Sequence, residues 1–153
     1  MKRLVVIGQG YVGLPMALRA AEAGLTVVGL DIEPSLVEAL NSGWSHIGDV
    51  SDDDLKAGLA AGYTASSDAS CIADADVVVV CVPTPLSSQG GPDLGSVEIA
   101  ARTIGHFIQP NTLVILESTT YPGTTEEFFA PLVLGANLTL GTDVNIAFSP
   151  ERI

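Results

Sequence analysis

Close to its start the chain runs an apolar stretch, Leu4-Val5-Val6-Ile7, directly into Gly8-Gln9-Gly10-Tyr11-Val12-Gly13. A strand built only of Val, Ile and Leu has to be covered on both faces, as in a parallel sheet held between two layers of helices. A G-x-G-x-x-G turn that follows such a strand and opens a helix gives each glycine a separate task. Gly8 makes the tight turn, Gly10 lets the backbone approach a diphosphate, and Gly13 lets helix and strand pack closely. Tyr11 and Val12 complete the turn, and the helix N-terminus behind them offers N–H groups and the positive end of its dipole to an anion.

The rest of the sequence repeats the same alternation of apolar runs and amphipathic stretches. Strands are expected at Arg3 to Ile7, Thr26 to Leu30, Tyr63 to Ala65, Val77 to Val82, Thr112 to Leu116 and Val144 to Phe148. Helices are expected near Gly10 to Ala23, Pro34 to Asn41, Ser51 to Ala61, Cys71 to Ala73, Leu94 to Ile108 and Thr124 to Leu134. Gly24 ends the first helix, Pro34 suits a first helical turn, and Ser51 ahead of three acids reads as an N-cap. The predicted fold is α/β: a doubly wound Rossmann fold with a mostly parallel sheet of about six strands and helices on both faces. With 153 residues, 47% of them hydrophobic, a single domain over 1–153 is expected. Pro83 to Gly95, rich in Pro, Gly, Ser and Gln, reads as a loop leaving the carboxyl end of the fourth strand, the edge where doubly wound folds bind ligands.

Asp31 closes the second strand about 20 residues beyond the glycines, where an acid receives the adenosine ribose hydroxyls of a dinucleotide. The expected cofactor is therefore NAD. The 2′-phosphate of NADP would meet Asp31 and Glu33, and at ~5 Å with an effective dielectric of ~20 each such contact costs on the order of 3 kcal/mol. Eighteen acidic residues against 6 basic ones give a formal charge of −12. That field opposes nucleic acid and anionic membrane surfaces as partners, so an anionic ligand has to be held locally by backbone N–H groups.

The longest apolar run, Val77 to Val82, is too short to cross a bilayer, and the N-terminus reaches glycine before a signal-peptide core could form. A cytoplasmic protein is expected. Cys71 and Cys81 are too few for a disulfide framework and have no neighbours at metal-ligand spacing, so no metal site is expected.

Four motifs then occur in sequence: Gly10-Tyr11-Val12-Gly13-Leu14-Pro15, Val82-Pro83-Thr84-Pro85, Glu117-Ser118-Thr119-Thr120-Tyr121-Pro122-Gly123-Thr124-Thr125 and Ser149-Pro150-Glu151-Arg152. Together they resemble the UDP-glucose/GDP-mannose dehydrogenase family, over the whole chain and in that family's NAD-binding N-terminal domain. The resemblance implies oxidation of a sugar C6 alcohol to a carboxylate with two NAD, through a thioester on a cysteine of a later domain. It also implies a UDP-sugar substrate and a homodimer for the longer enzyme, with the catalytic Lys and Asn and the uridine site beyond residue 153. Cys81, in an apolar strand where a thiolate is desolvated, reads as packing.

Val82 and Pro83 end the fourth strand where a dinucleotide would cross, because Pro83 and Pro85 have no N–H to donate. By the resemblance, Val82, Pro83 and Thr84 contact the cofactor; Thr84 also reads simply as a turn residue. Ser118 and Thr119 follow the fifth strand. By the resemblance Ser118 contacts the cofactor, while Thr119 lies near nicotinamide and sugar, where a hydroxyl meets an ordered water or a developing alkoxide. Thr124 or Thr125 fits a helix N-cap. Glu151 is implied as a cofactor contact and as the group that positions or activates the water hydrolysing the thioester; the bare sequence also allows an exposed acid. Arg152 suits a substrate phosphate or a carboxylate, and Leu36 replaces a lysine of some relatives. The wording of the third and fourth motifs looks more like the branch acting on UDP-N-acetylhexosamines than like the UDP-glucose branch. A free-standing NAD-binding module is the alternative. A hydroxyacid dehydrogenase leaves Ser118 to Thr125 unexplained, and a methyltransferase is not expected to carry the third glycine.

Overall fold

Alternation along the strands decides which helix layer each residue meets. The first strand, β1 (Arg3–Ile7), sends Leu4 and Val6 to one face of the sheet and Val5 and Ile7 to the other, all four buried. The computed structural model describes residues 2–86 and 90–150, and in it every strand pairing is parallel. Its other strands are β2 (Thr26–Leu30), β3 (Tyr63–Ser66), β4 (Val77–Val80), β5 (Thr112–Leu116) and β6 (Val144–Phe148), in the order β3-β2-β1-β4-β5-β6. Val5 stands opposite Val28 of β2 and Val78 of β4, which places β1 at the centre of the sheet.

The face carrying Leu4, Val6, Val27 and Val79 is covered by α1 (Gly13–Glu22), α2 (Pro34–Asn41) and α3 (Asp52–Ala61), through Leu14, Ala17, Leu40 and Leu55. The opposite face, with Val5, Val28, Val78 and Val114, is covered by α4 (Gly95–Phe107) and by the stretch 124–134, through Val97, Ala101, Ile104, Phe129 and Val133. Each such fully buried aliphatic or aromatic side chain contributes roughly 1.5–3 kcal/mol of transfer free energy. Both helix layers are thus held by the same strands. Among the described residues, no helix is long and apolar enough to cross a membrane.

Several expected boundaries shift for local reasons. α1 starts at Gly13 rather than Gly10, because Gly10–Val12 form a turn whose Gly10 carbonyl accepts the Leu14 N–H at 3.1 Å. β4 ends at Val80, not Val82: the Cys81 N–H still reaches the Ile7 carbonyl at 2.8 Å, and the chain then turns away into Pro83, which has no N–H. The expected helix over Cys71 to Ala73 is a 3₁₀ stretch, Ala69–Asp74, started by Asp68 accepting the Ser70 N–H at 2.9 Å. The expected helix from Thr124 to Leu134 divides into a π-helix, Thr124–Phe129, and a short α5 (Ala130–Leu134). Pro131 cannot donate to the carbonyl four residues earlier, and a wider turn at this point accommodates that missing bond.

The cap at Ser51 forms as expected. Its Oγ accepts the Asp54 N–H at 3.1 Å, while Asp54 Oδ2 accepts both the Ser51 N–H at 3.2 Å and the Ser51 hydroxyl. The hydroxyl, chiefly, and the N–H hold the Asp54 carboxyl below the ordinary carboxylate range. Ser51→Ala should lower stability at neutral pH by about 1 kcal/mol in urea unfolding. Because the Asp54 pKa is depressed in the folded state, its share of the cap is complete above the ordinary value and fades as pH falls through the depressed one. The deficit of the variant should accordingly narrow on acidification below pH ~4, and a deficit that widens there would contradict the cap.

Candidate functional site

The strand order turns back on itself between β1 and β4, and at their carboxyl ends lies a cleft of about 900 Å³. A crevice at this topological switch point is where open parallel sheets bind ligands. Its floor is the turn Gly8–Val12; one wall comes from Leu30, Asp31, Ile32 and Leu36, the other from Cys81–Thr84, and Glu117–Thr119 close the far end.

The glycines divide their work by geometry. Gly8 has a φ of +90°, and a Cβ on it would come 2.7 Å from the Cys81 carbonyl oxygen. A Cβ on Gly13 would overlap the Gly8 carbonyl, so Gly13 lies beneath the turn and serves the close packing of α1 expected of it, and it is not among the residues that line the cleft. Gly10 differs from both. Its φ is not positive and a Cβ there would meet nothing of the chain within 4 Å, so neither strain nor internal packing requires glycine. The space kept open faces the cleft, beside an α1 N-terminus that has no side-chain cap. A diphosphate fits that cradle.

Asp31 is held on both oxygens: Oδ2 accepts the Gln9 N–H at 2.9 Å and Oδ1 the Glu33 N–H at 3.1 Å. Each oxygen keeps a lone pair for a hydroxyl donor. Glu33, expected beside Asp31 in the ribose site, does not line the cleft. It caps α2 instead, accepting the Ser35 N–H at 3.3 Å and the Ser35 hydroxyl at 2.7 Å, and these bonds hold its carboxyl below the ordinary range. Gly8, Gly10, Tyr11, Val12, Asp31, Val82, Pro83, Thr84, Ser118 and Thr119 are all brought to the one cleft. Glu151 and Arg152 lie outside the described residues.

Two of the hydroxyls brace the scaffold. Ser118 Oγ donates to the Val82 carbonyl at 2.7 Å and Thr84 Oγ1 to the Thr119 carbonyl at 2.8 Å, tying the exits of β4 and β5 together. Toward a ligand each keeps acceptor capacity. Neither Thr124 nor Thr125 is the expected N-cap: that position falls on Gly123, with φ +91°, and the buried Thr124 hydroxyl donates back to the Tyr121 carbonyl at 2.7 Å. Cys81 lines the cleft beside Gly13, and burial pushes the Cys71 thiol up.

Residues that sequence reasoning missed also line the cleft. His46 reaches it from the loop after α2. Ser96, Ile99, Ala100 and Thr103 present one side of α4, and the exposed Ile99 in an otherwise amphipathic helix was a readable sign of that second apolar face. Glu117 stands at the far end and accepts the Ser149 hydroxyl at 3.0 Å.

Residues 2–153 match the NAD binding domain of the UDP-glucose/GDP-mannose dehydrogenase family. The chain is 37% identical to Protein CapL of Staphylococcus aureus, over 99% of this chain and 35% of that protein. It is 39% identical to the UDP-N-acetyl-D-mannosamine dehydrogenase of Pyrococcus horikoshii, over 99% of this chain and 36% of the relative. The solved GDP-mannose dehydrogenase from Pseudomonas aeruginosa, a ternary complex, superposes with a TM-score of 0.90 at 29% identity, over 99% of this chain and 36% of that one. The chain thus spans about a third of the length of these relatives.

Gly10→Val should abolish NAD binding in a calorimetric titration while circular dichroism and the melting temperature stay close to the parent, since the new side chain meets only the space facing the cleft. Loss of fold together with binding would make Gly10 a structural glycine.

Proposed function

The chain belongs to the UDP-glucose/GDP-mannose dehydrogenase family, and we propose that it forms the NAD-binding part of a nucleotide-sugar 6-dehydrogenase. The reaction is oxidation of the C6 alcohol of a UDP-sugar, a UDP-N-acetylhexosamine, to a carboxylate with two NAD. The observation that carries this reading is the pairing of an open, sterically unneeded Gly10 with a doubly anchored Asp31 across one cleft.

In this reading Gly8–Val12 cradle the diphosphate, and Asp31 accepts from the adenosine ribose hydroxyls. Val82, Pro83 and Thr84 carry the dinucleotide across the switch point. When bound, NAD supplies the acceptor for the hydride leaving C6. Ser118 keeps the β5 exit rigid through its bond to Val82, and Thr119 hydrogen-bonds at the sugar and nicotinamide end. Glu151 acts as general base on the water that hydrolyses a thioester, whose cysteine is not Cys81 but belongs to the remainder of a longer enzyme. That enzyme works as a homodimer in the cytoplasm, and these 153 residues alone turn over no substrate. The UDP-N-acetylhexosamine assignment rests on the wording around Tyr121 and Arg152 and on the name of the Pyrococcus relative.

Two measurements test this. Titration of the chain should show NAD binding tighter than NADP by roughly a hundredfold, the equivalent of ~3 kcal/mol for a 2′-phosphate ~5 Å from Asp31 at an effective dielectric of ~20. Equal or tighter NADP binding would remove the ribose role of Asp31. In a complete enzyme carrying this domain, kcat/KM should be higher for UDP-N-acetylmannosamine or UDP-N-acetylglucosamine than for UDP-glucose, and the isolated chain should produce no NADH with any of them. A preference for UDP-glucose would overturn the substrate branch and leave the family in place.

A further inference from the structure

Gln9, between the first two glycines of the turn, carries a side chain that points away from solvent and is wholly buried. A buried amide has to satisfy two donors and an acceptor, and here all are used. Nε2 donates to the Val6 carbonyl at 2.8 Å and to the Gly8 carbonyl at 3.2 Å, while Oε1 accepts the Tyr63 hydroxyl at 2.8 Å. Tyr63 opens β3, two strands away from β1, and is itself wholly buried. Gly29 of the intervening strand leaves the passage between them, since a Cβ there would overlap both Gln9 Oε1 and the Tyr63 hydroxyl. Burial, with a smaller contribution from the charge of Asp31, keeps Tyr63 protonated and therefore a donor throughout the working pH range. Tyr63 does not line the cleft.

We infer that Gln9 and Tyr63 are positioning residues for the cofactor: a buried polar strut that fixes the Gly8–Gln9 peptide and, through the Gln9 N–H, the orientation of the Asp31 carboxylate toward the adenosine ribose. The strut holds the Gly8 carbonyl from below, and the N–H of the same peptide unit is the donor to Asp31 Oδ2 at 2.9 Å. Releasing one end of the strut lets that peptide tilt, and Asp31 loses one of its two anchors. The inference rests on the reading of Asp31 as the ribose acceptor, and it assigns to Gln9, Gly29 and Tyr63 a joint role in cofactor recognition with no contact from Tyr63 to the ligand.

The test is a comparison of NAD with its 2′-deoxyadenosine analogue, titrated into the parent chain, Tyr63→Phe and the double variant Gln9→Leu/Tyr63→Phe. The parent should bind NAD more tightly than the analogue; if it does not, the ribose role of Asp31 fails and the inference fails with it. Tyr63→Phe should weaken NAD about fivefold to tenfold and the analogue less than twofold, which a general loosening of the fold would not produce. An equal loss for both ligands, or no loss for NAD, would overturn the positioning role while leaving Asp31 as the acceptor. Removing both polar partners in the double variant should return the melting temperature toward that of the parent without restoring discrimination between the two ligands. Recovery of both together would show that the strut serves stability alone.

Discussion

Backbone packs against backbone where β1 hands over to α1, and the rest of the architecture is arranged around that contact. At Gly8 the carbonyl of Cys81 is so near that a single added carbon would come to 2.7 Å, and at Gly13 the Gly8 carbonyl itself fills the space a Cβ would need. At these two glycines the exit of β1 therefore meets the Cys81 carbonyl and the start of α1 main chain to main chain. β1 stands between β2 and β4, paired in parallel with both and covered on both faces, and this brings its exit close to a neighbouring strand and a helix at once. The cleft is the other product of the same contact: its floor is main chain, and what that floor offers a ligand is N–H groups and a helix dipole.

Those polar groups answer a problem of charge. A chain with a formal charge of −12 repels a dinucleotide at long range. Among the described residues the cleft is lined by Asp31, Glu117 and His46 but by no lysine or arginine. Dipoles held in place by the fold act over a few ångströms, where the global field matters least, and they cost little reorganisation when the anion arrives. In the proposed binding mode Asp31 meets the hydroxyl donors of the ribose and the helix N-terminus meets the phosphates. On that proposal, discrimination against a 2′-phosphate and attraction for a diphosphate come from different groups of one cleft.

Much of this was legible in the sequence, and for identifiable reasons. Strands buried on both faces admit little besides Val, Ile and Leu, so β1, β2 and β5 stand where the apolar runs stand. Ser51 and Gly24 mark their helix ends because capping is a local matter. The glycines and Asp31 were found because their spacing reflects one short unit of strand, turn, helix and strand. What escaped depends on distant contacts. Gln9 looks like an arbitrary residue of the motif until Tyr63, 54 positions on, is seen to reach it. His46 and the cleft-facing side of α4 have no local signature beyond an exposed Ile99, and the π-helix at Thr124 reflects how Pro131 is accommodated rather than any propensity of Thr124–Phe129.

The hydroxyl-rich motifs show why residue type alone overstates direct ligand contact. Read as a string, Ser118, Thr119, Thr120 and Thr124 look like a row of donors waiting for a sugar. In the fold, Ser118 and Thr124 give their protons to carbonyls of the chain, and Thr84 does the same across to Thr119. Two adjacent strand exits that leave a sheet would otherwise be loops free to move independently, and both end in carbonyls that need partners. Short hydroxyl side chains supply those partners without adding bulk to the cleft, so the walls between which a dinucleotide would lie are fixed before it binds. A preformed cleft loses less on binding than one that must be ordered by its ligand. The same residue types that suggest chemistry in the sequence therefore act first on geometry, holding the walls of the cleft through bonds to the protein alone.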